Sequence, residues 1–194
     1  MKSGKTFKNE PVMQMVATAL VMALICVATM IIKIPIPMTE GYVHLGDAMI
    51  FLGVLILGKN RGALAAGIGS ALGDLFAGYA AWIPWTLGIK FLMAFIMGFA
   101  IEKAAGKFPL VEVLAMILAG IEMVAGYYVA ASLMTGNWVV PLASIPWNIG
   151  QFVMGIVLAV IFAAVLEKTP VGEQMTYKFQ WSFKGKKTDY RTDQ

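Results

Sequence analysis

Charged residues are scarce in this sequence. Asp, Glu, Lys and Arg make up 13% of the 194 residues, whereas hydrophobic residues make up 59%. Ordinary soluble domains contain about 25% charged and 45–50% apolar residues, so the composition excludes a typical soluble protein. Because a membrane-spanning helix needs about 20 predominantly apolar residues, the chain has room for several such helices and for no separate soluble domain.

Cysteine and histidine each occur only once. Cys26 has no second cysteine with which to form an intrachain disulfide, and we interpret it as a small buried hydrophobic residue. His44 has no other histidine and no cysteine near it, so we predict no metal site. His44 is kept as a candidate ligand contact from a loop.

Motifs for nucleotide hydrolysis and for common catalysis are also missing. A phosphate-binding loop needs Gly, four residues and then Gly-Lys-Ser/Thr, but the nearest candidate, residues 185–188, lacks the earlier glycine and the correct final residue. The sequence has no Ser-His-acid set, no His-Glu-x-x-His and no cysteine pair. We therefore predict no catalytic residue, no cofactor and no enzymatic activity.

Long apolar runs separated by Gly, Pro and charged residues predict an all-α membrane protein with a bundle of six transmembrane helices. The second run is short, which favours a tilted or partly interfacial helix. The predicted spans cover residues 12–34, 45–57, 62–77, 84–101, 110–134 and 145–166. They form a membrane domain at 12–167, preceded by a cytoplasmic segment at 1–11 and followed by a basic cytoplasmic tail at 168–194, which we expect at the membrane surface or partly disordered.

Lysine and arginine are distributed unequally across this topology. Of the 15 basic residues, all except Lys33 and Lys90 fall on the side of the N-terminus. The positive-inside rule then places both termini of a multi-pass membrane protein in the cytoplasm. This distribution accounts for the net charge of +4 without a nucleic-acid partner.

Several polar side chains fall within the predicted spans. An ionisable group at membrane depth costs at least about 2.5–3.5 kcal/mol, so each is a functional candidate. At about 1.5 Å per residue, Lys90 lies roughly 9 Å below the outer end of its helix. Together these groups predict an outward-facing pocket for a small, flat, polar heteroaromatic ligand. Its predicted residues are His44, Trp85, Thr86, Lys90, Glu122, Tyr127, Tyr128, Trp147, Asn148 and Gln151.

Structural roles for some of these residues remain open alternatives. Lys90 and Glu122 could pair only with each other, and tryptophans such as Trp82 could form an interfacial belt. Asp47, at the start of the second span, is interpreted as a helix cap. Asp74, near the outer end of the third span, is expected to hold a loop in place.

Residues 41–98, together with the later segment 146–151, resemble the substrate-binding S component of energy-coupling-factor (ECF) vitamin transporters, which lie in prokaryotic plasma membranes. The resemblance covers most of residues 11–167. The resemblance rests on the segments HLGD (44–47), GDLFAGY (73–79), the stretch 84–90 and PWNIGQ (146–151). It implies a six-helix protein that captures a vitamin or precursor outside the cell. Uptake would be driven by a transmembrane T subunit and two ATP-binding subunits. Pyridoxine or hydroxymethylpyrimidine is favoured as ligand, riboflavin or pantothenate is the alternative, and a membrane scaffold without a ligand pocket is a different class.

The resemblance also implies a docking surface for the T subunit on the first helix. The family carries an Ala-x-x-x-Ala pair there, which Ala19 and Ala23 match. Small residues allow the close approach that membrane helix association needs. The alternative is that this strip packs within the chain, although a better candidate for internal packing is the row of small residues on the third span, Gly62, Ala66 and Ser70.

Overall fold

The structure is a computed structural model that describes residues 10–31, 33–35, 42–104 and 110–179. Six helices of 12 to 25 residues form a bundle, and a two-stranded sheet follows the first of them. The elements are α1 (Pro11–Ile31), β1 (Lys33–Pro35), β2 (Tyr42–His44), α2 (Gly46–Leu57), α3 (Lys59–Ala77), α4 (Ile83–Ala104), α5 (Val111–Thr135), α6 (Ile145–Leu166) and the short α7 (Pro170–Gln174), with 3₁₀ turns at Ala80–Trp82 and Val140–Ser144.

The predicted first span is wrong at its C-terminal end. α1 stops at Ile31, and β1 pairs antiparallel with β2, with Lys33 opposite His44. Ile34 precedes a proline, a position that disfavours helix and favours extended backbone. Apolar character alone does not separate the last turn of a helix from a short strand. The sheet carries His44 to the end of the bundle.

The other predicted spans match the helices to within a few residues, with the largest differences at the start of α3 and the end of α4. α3 begins at Lys59 and not at residue 62, because Gly58 alone forms the turn after α2. Gly58 has a φ of +80°, a conformation that glycine adopts without steric cost. The charged residues that follow it, including Arg61, therefore belong to the helix and not to a loop.

Small residues on α3 allow α1 and α4 to approach closely. A Cβ atom added at Gly69 would lie 2.6 Å from the carbonyl oxygen of Met22 on α1. Gly62, Ala66 and Ser70 are all buried, which confirms that this row packs internally. Close helix contact through small residues is typical of membrane bundles.

Within the described residues, four helical segments are long and apolar enough to cross a membrane: Pro11–Ile31, Ala80–Ala104, Val111–Thr135 and Val140–Leu166. α2 is apolar but shorter. Large apolar side chains cover the outside of the bundle, among them Leu114 and Ile121 on α5 and Ile161 on α6. An apolar exterior of this extent indicates a chain embedded in a lipid bilayer.

The segment 170–179 packs against the helices. Tyr177 is 2% exposed, and its backbone N–H donates to the Leu55 carbonyl at 2.9 Å. Its hydroxyl donates to Glu102 Oε1 at 2.8 Å, and Glu102 also pairs with Lys59 at 2.6 Å. This part of the predicted tail is therefore held in the core, whereas residues 180–194 lie outside the described residues.

Candidate functional site

A cavity opens at one end of the bundle, where β2 meets the C-terminal ends of α3 and α5 and the N-terminal ends of α4 and α6. Its space, including the open mouth, is about 470 Å³. Aromatic rings alternate with hydrogen-bonding groups around its wall. The lining residues are Tyr42, His44, Asp74, Trp82, Thr86, Tyr127, Ala131, Ser144, Asn148 and Gln151.

Half of the predicted site residues line this cavity. They come from four different elements: one from β2, one from α4, one from α5 and two from α6. Tyr127 donates a hydrogen bond to the Thr86 hydroxyl at 3.2 Å, which joins α5 to α4 at the wall. The predicted residues in the wall are His44, Thr86, Tyr127, Asn148 and Gln151.

Lys90 lies fully buried beneath the cavity, where its ammonium pairs with the Asp47 carboxylate. Gln151 Nε2 donates to the second Asp47 oxygen at 2.9 Å, and Lys90 Nζ lies 5.3 Å from the centre of the Tyr127 ring. Lys90 therefore does not pair with Glu122. The expected cap role of Asp47 is also wrong, because both carboxylate oxygens accept from side chains of other helices and α2 has no side-chain cap.

His44 is fixed at the wall by hydrogen bonds on both its backbone and its ring. Its N–H donates to Gln151 Oε1 at 2.8 Å, and its Nδ1 accepts from the Gly46 N–H at 3.0 Å. Burial, and secondarily the Lys90 ammonium, lowers the pKa of His44 to about 4. The ring is therefore neutral near pH 7 with its proton on Nε2, which makes His44 a hydrogen-bond donor at the cavity.

Asp74 and Tyr42 join α3 to β2 beside His44, whose ring centroid lies 5.5 Å from that of Tyr42. The Tyr42 hydroxyl donates to Asp74 Oδ1 at 2.6 Å, so Asp74 is bonded to the first residue of β2. The Tyr42 ring also packs on Tyr79, with centroids 4.3 Å apart. Burial and the neighbouring Asp74 raise the pKa of Tyr42, so its hydroxyl keeps its proton and remains a donor to the carboxylate.

The other predicted site residues do not line the cavity, although most lie at a similar depth. Glu122 is five residues from Tyr127 on α5, which turns the two side chains about 140° apart. Trp147 is 42% exposed, and the Tyr128 hydroxyl donates outward to the Trp138 carbonyl. Trp85 is half-buried against the core. Depth along a helix was predictable, but the face that each residue presents was not.

Five lining residues were not among the predicted site residues: Tyr42, Asp74, Trp82, Ala131 and Ser144. Two of them, Tyr42 and Trp82, carried a usable signal. Tyr42 is two residues from His44, so the two side chains share one face of β2. For Trp82 an interfacial belt was the open alternative, but the residue is 8% exposed, and its ring centroid lies 5.8 Å from that of Tyr127. Ala131 and Ser144 gave no signal. Within the described ranges, no three His, Cys, Asp or Glu side chains are grouped so as to hold a metal ion.

Two relatives align with most of this chain. An uncharacterized protein in the gap 3′ region of Pyrococcus woesei is 35% identical over 144 residues, which is 74% of this chain and 95% of the relative. The thiamine precursor transporter HmpT of Lactococcus lactis subsp. cremoris is 28% identical over 168 residues, covering 86% of this chain and 95% of the transporter.

Two solved S components share the fold. The S component of a bacterial ECF transporter superposes with a TM-score of 0.60 at 21% identity, covering 81% of this chain and 98% of the other. The biotin S component of an ECF-type ABC transporter gives a TM-score of 0.65 at 15% identity, covering 89% and 99%. The family model of the ECF-type riboflavin transporter S component matches residues 9–168. The chain therefore belongs to the S components of ECF transporters, and is not an enzyme.

Proposed function

We propose that this chain captures a vitamin precursor with a single heteroaromatic ring, of the hydroxymethylpyrimidine or pyridoxine kind, from outside the cell. The observation that carries the proposal is the cavity, in which aromatic rings stand beside neutral hydrogen-bonding groups. Tyr42, Trp82 and Tyr127 offer flat apolar faces, whereas His44 and Asn148 offer hydrogen bonds in the ring plane. The similarity to a thiamine precursor transporter supports the same ligand class.

The proposed topology has six transmembrane helices with both termini in the cytoplasm of a prokaryotic cell. The cavity lies at the C-terminal end of α3, while Lys59 and Arg61 lie at the opposite end of that helix. Lys103 lies at the far end of α4, on the side of those two residues. Basic residues favour the cytoplasmic side, so the cavity faces outward, where a scarce nutrient is captured.

Uptake by the proposed mechanism needs partner subunits: a transmembrane T subunit and two ATP-binding subunits. The strip on α1 proposed to contact the T subunit comprises Ala19 and Ala23, extended by Met15 and Val27 in the same row. Both alanines are exposed, as are 72% of Met15 and 48% of Val27. The strip is therefore not occupied by internal packing within the described residues, which supports its use by a partner.

Calorimetric titration of the detergent-purified chain tests the ligand assignment. Hydroxymethylpyrimidine and pyridoxine are compared with riboflavin, the second candidate, since the matching family model is that of a riboflavin transporter. Asn148→Ala should weaken binding of the true ligand roughly 10-fold, because a buried partner loses its hydrogen bond. The matched control is Ile149→Ala, at a 43% exposed neighbour. Binding of riboflavin alone, or of none of the three, would refute the single-ring assignment.

A further inference from the structure

We infer that Asp74 Oδ2 is the acceptor for an amino group on the ring of the bound ligand. This inference rests on the proposed function and narrows it to an amino-substituted nitrogen heterocycle. It assigns the ligand's donor edge to Asp74, a residue for which the sequence predicted only loop attachment.

The two oxygens of the Asp74 carboxylate have different surroundings. Asp74 is 3% exposed and lines the cavity. Oδ1 accepts the Tyr42 hydroxyl at 2.6 Å, whereas Oδ2 is buried without a hydrogen-bond partner among the described residues. Thr86 lies beside the carboxylate, but its hydroxyl has no hydrogen-bond geometry with Oδ2. The Tyr42 bond therefore fixes the carboxylate and leaves its second oxygen without a described partner, in a side chain that lines the cavity.

A buried acceptor without a donor is rare, because desolvation of the group is then uncompensated. A ligand that supplies the donor removes this desolvation cost, and therefore binds more tightly than a ligand without the donor. The same cavity holds other polar groups, but Gln151 is already bonded to both Asp47 and the His44 backbone. Asp74 Oδ2 is thus a pre-positioned acceptor that no described residue uses.

The chemistry of a carboxylate determines which ligand group fits. An ionised carboxylate is an acceptor only, and an amino group on an aromatic ring is in practice a donor only, because its lone pair is delocalised into the ring. A ligand hydroxyl also donates, but its own oxygen then requires a donor. A ligand carboxylate would meet a like charge at close range, which is unfavourable in a buried site. Anionic ligands such as pantothenate therefore fit this wall poorly.

A two-by-two comparison of protein and ligand isolates the contact. The probes are 4-amino-5-hydroxymethyl-2-methylpyrimidine and its analogue with hydrogen in place of the amino group, titrated into wild type and Asp74→Asn. In wild type, removal of the amino group should weaken binding roughly 10- to 100-fold, as expected for an unsatisfied buried partner. In Asp74→Asn the two probes should bind about equally, because the charged acceptor is gone.

Ser70→Ala is the matched control. Ser70 lies one helical turn before Asp74 on α3, and its hydroxyl is also buried without a partner, but it does not line the cavity. This variant should discriminate between the probes as wild type does. If Asp74→Asn does not fold, the wild-type titrations still decide.

The outcomes separate this inference from the proposed function. Equal binding of both probes to wild type, or undiminished discrimination by Asp74→Asn, overturns the assignment of Asp74 while the single-ring ligand stands. Preferential binding of pyridoxine, whose ring bears a hydroxyl and no amino group, also overturns the assignment of Asp74 and leaves the single-ring ligand standing. Failure of wild type to bind any single-ring probe overturns both.

Discussion

At the scale of single residues, Lys90 and Asp47 form a buried ion pair that connects α4 to α2. Both side chains are completely buried. Removal of both charges from such a pair is often tolerated, but removal of one partner leaves a buried charge uncompensated and costs about 3–5 kcal/mol. The pair also fixes Gln151, which in turn holds His44 at the cavity.

Replacement of Lys90 should therefore destabilise the whole fold and not only the ligand site. We expect Lys90→Met to lower the free energy of unfolding by about 3–5 kcal/mol, measured by thermal unfolding in detergent. The second change Asp47→Leu should recover part of this loss. Lys103→Met, at the exposed end of the same helix, is the matched control. A Lys90→Met melting temperature equal to that of the control would contradict a structural role for the pair.

His44 makes stability dependent on pH. Its pKa is about 4 in the folded protein, against 6.5 for an ordinary histidine. Between these values the unfolded chain binds the proton and the folded chain does not, so stability rises with pH, by at most about 1.4 kcal/mol per pH unit. Acidification from pH 6.5 toward 4 should progressively remove this stability.

The comparison uses His44→Asn, whose side-chain oxygen can still accept from the Gly46 N–H. Melting temperatures are measured at pH 7 and pH 5 for both proteins. The loss on acidification should be smaller in the variant, because His44 is the only histidine of the chain. Identical losses would show that other groups determine the acid sensitivity.

At the scale of elements, the sequence predicted the helices well because their apolar runs are long. It failed where the signal was short or non-local. β1 was assigned to a helix since three residues carry no clear period. Glu122 was assigned to the pocket, but it is not among the residues that line the cavity. The partner of Lys90 was not predictable, because Asp47 is distant in sequence and only the tertiary fold brings the two together.

The segment after α7 is buried, although its composition did not indicate this. A basic, polar stretch is typical of a solvated tail, yet Tyr177 lies in the core and its hydroxyl donates to Glu102 and accepts from the Lys59 N–H at 3.2 Å. Isolated apolar residues at 175, 177 and 179 are the signal: they alternate, as in an extended segment with one buried face. Their burial seals the end of the bundle opposite the cavity.

Loss of the Tyr177 hydroxyl should weaken the packing of residues 175–179 against the bundle. We expect Tyr177→Phe to destabilise the protein by about 0.5–1.5 kcal/mol and to increase amide hydrogen exchange at residues 175–179. Tyr128→Phe is the matched control, since that hydroxyl bonds an exposed loop carbonyl. If exchange at 175–179 is the same in the two variants, the hydroxyl does not hold the segment.

At the scale of the whole molecule, the chain is a binding protein whose energy must come from elsewhere. It has no phosphate-binding loop, and ECF S components work in a complex with T and ATP-binding subunits. Ligand binding by the isolated chain should therefore be unaffected by ATP or its absence. Ligand-stimulated ATP hydrolysis by the purified chain would contradict the expectation that only partner subunits hydrolyse ATP.

The assembly with the T subunit can be tested at the exposed strip on α1 that contains Ala19 and Ala23. Lipid offers no hydrophobic driving force for helix association, so contact between helices in a membrane depends on close packing of small residues. Replacement of Ala19 and Ala23 by leucine adds bulk on a face of α1 where both alanines are exposed. The double variant should lose co-purification with the coupling subunits and uptake in cells, while ligand binding by the isolated chain persists.

The same substitution at Ala125, an exposed alanine on α5, controls for added bulk on the lipid-facing surface and should leave the complex intact. Because the α1 row lies on the outside of the bundle and away from the cavity, its effect on assembly should be separable from any effect on the ligand. If the Ala19/Ala23 variant retains the complex and uptake, the T subunit docks on another face. If it loses ligand binding as well, the exposed row supports the fold of the cavity and is not a docking surface.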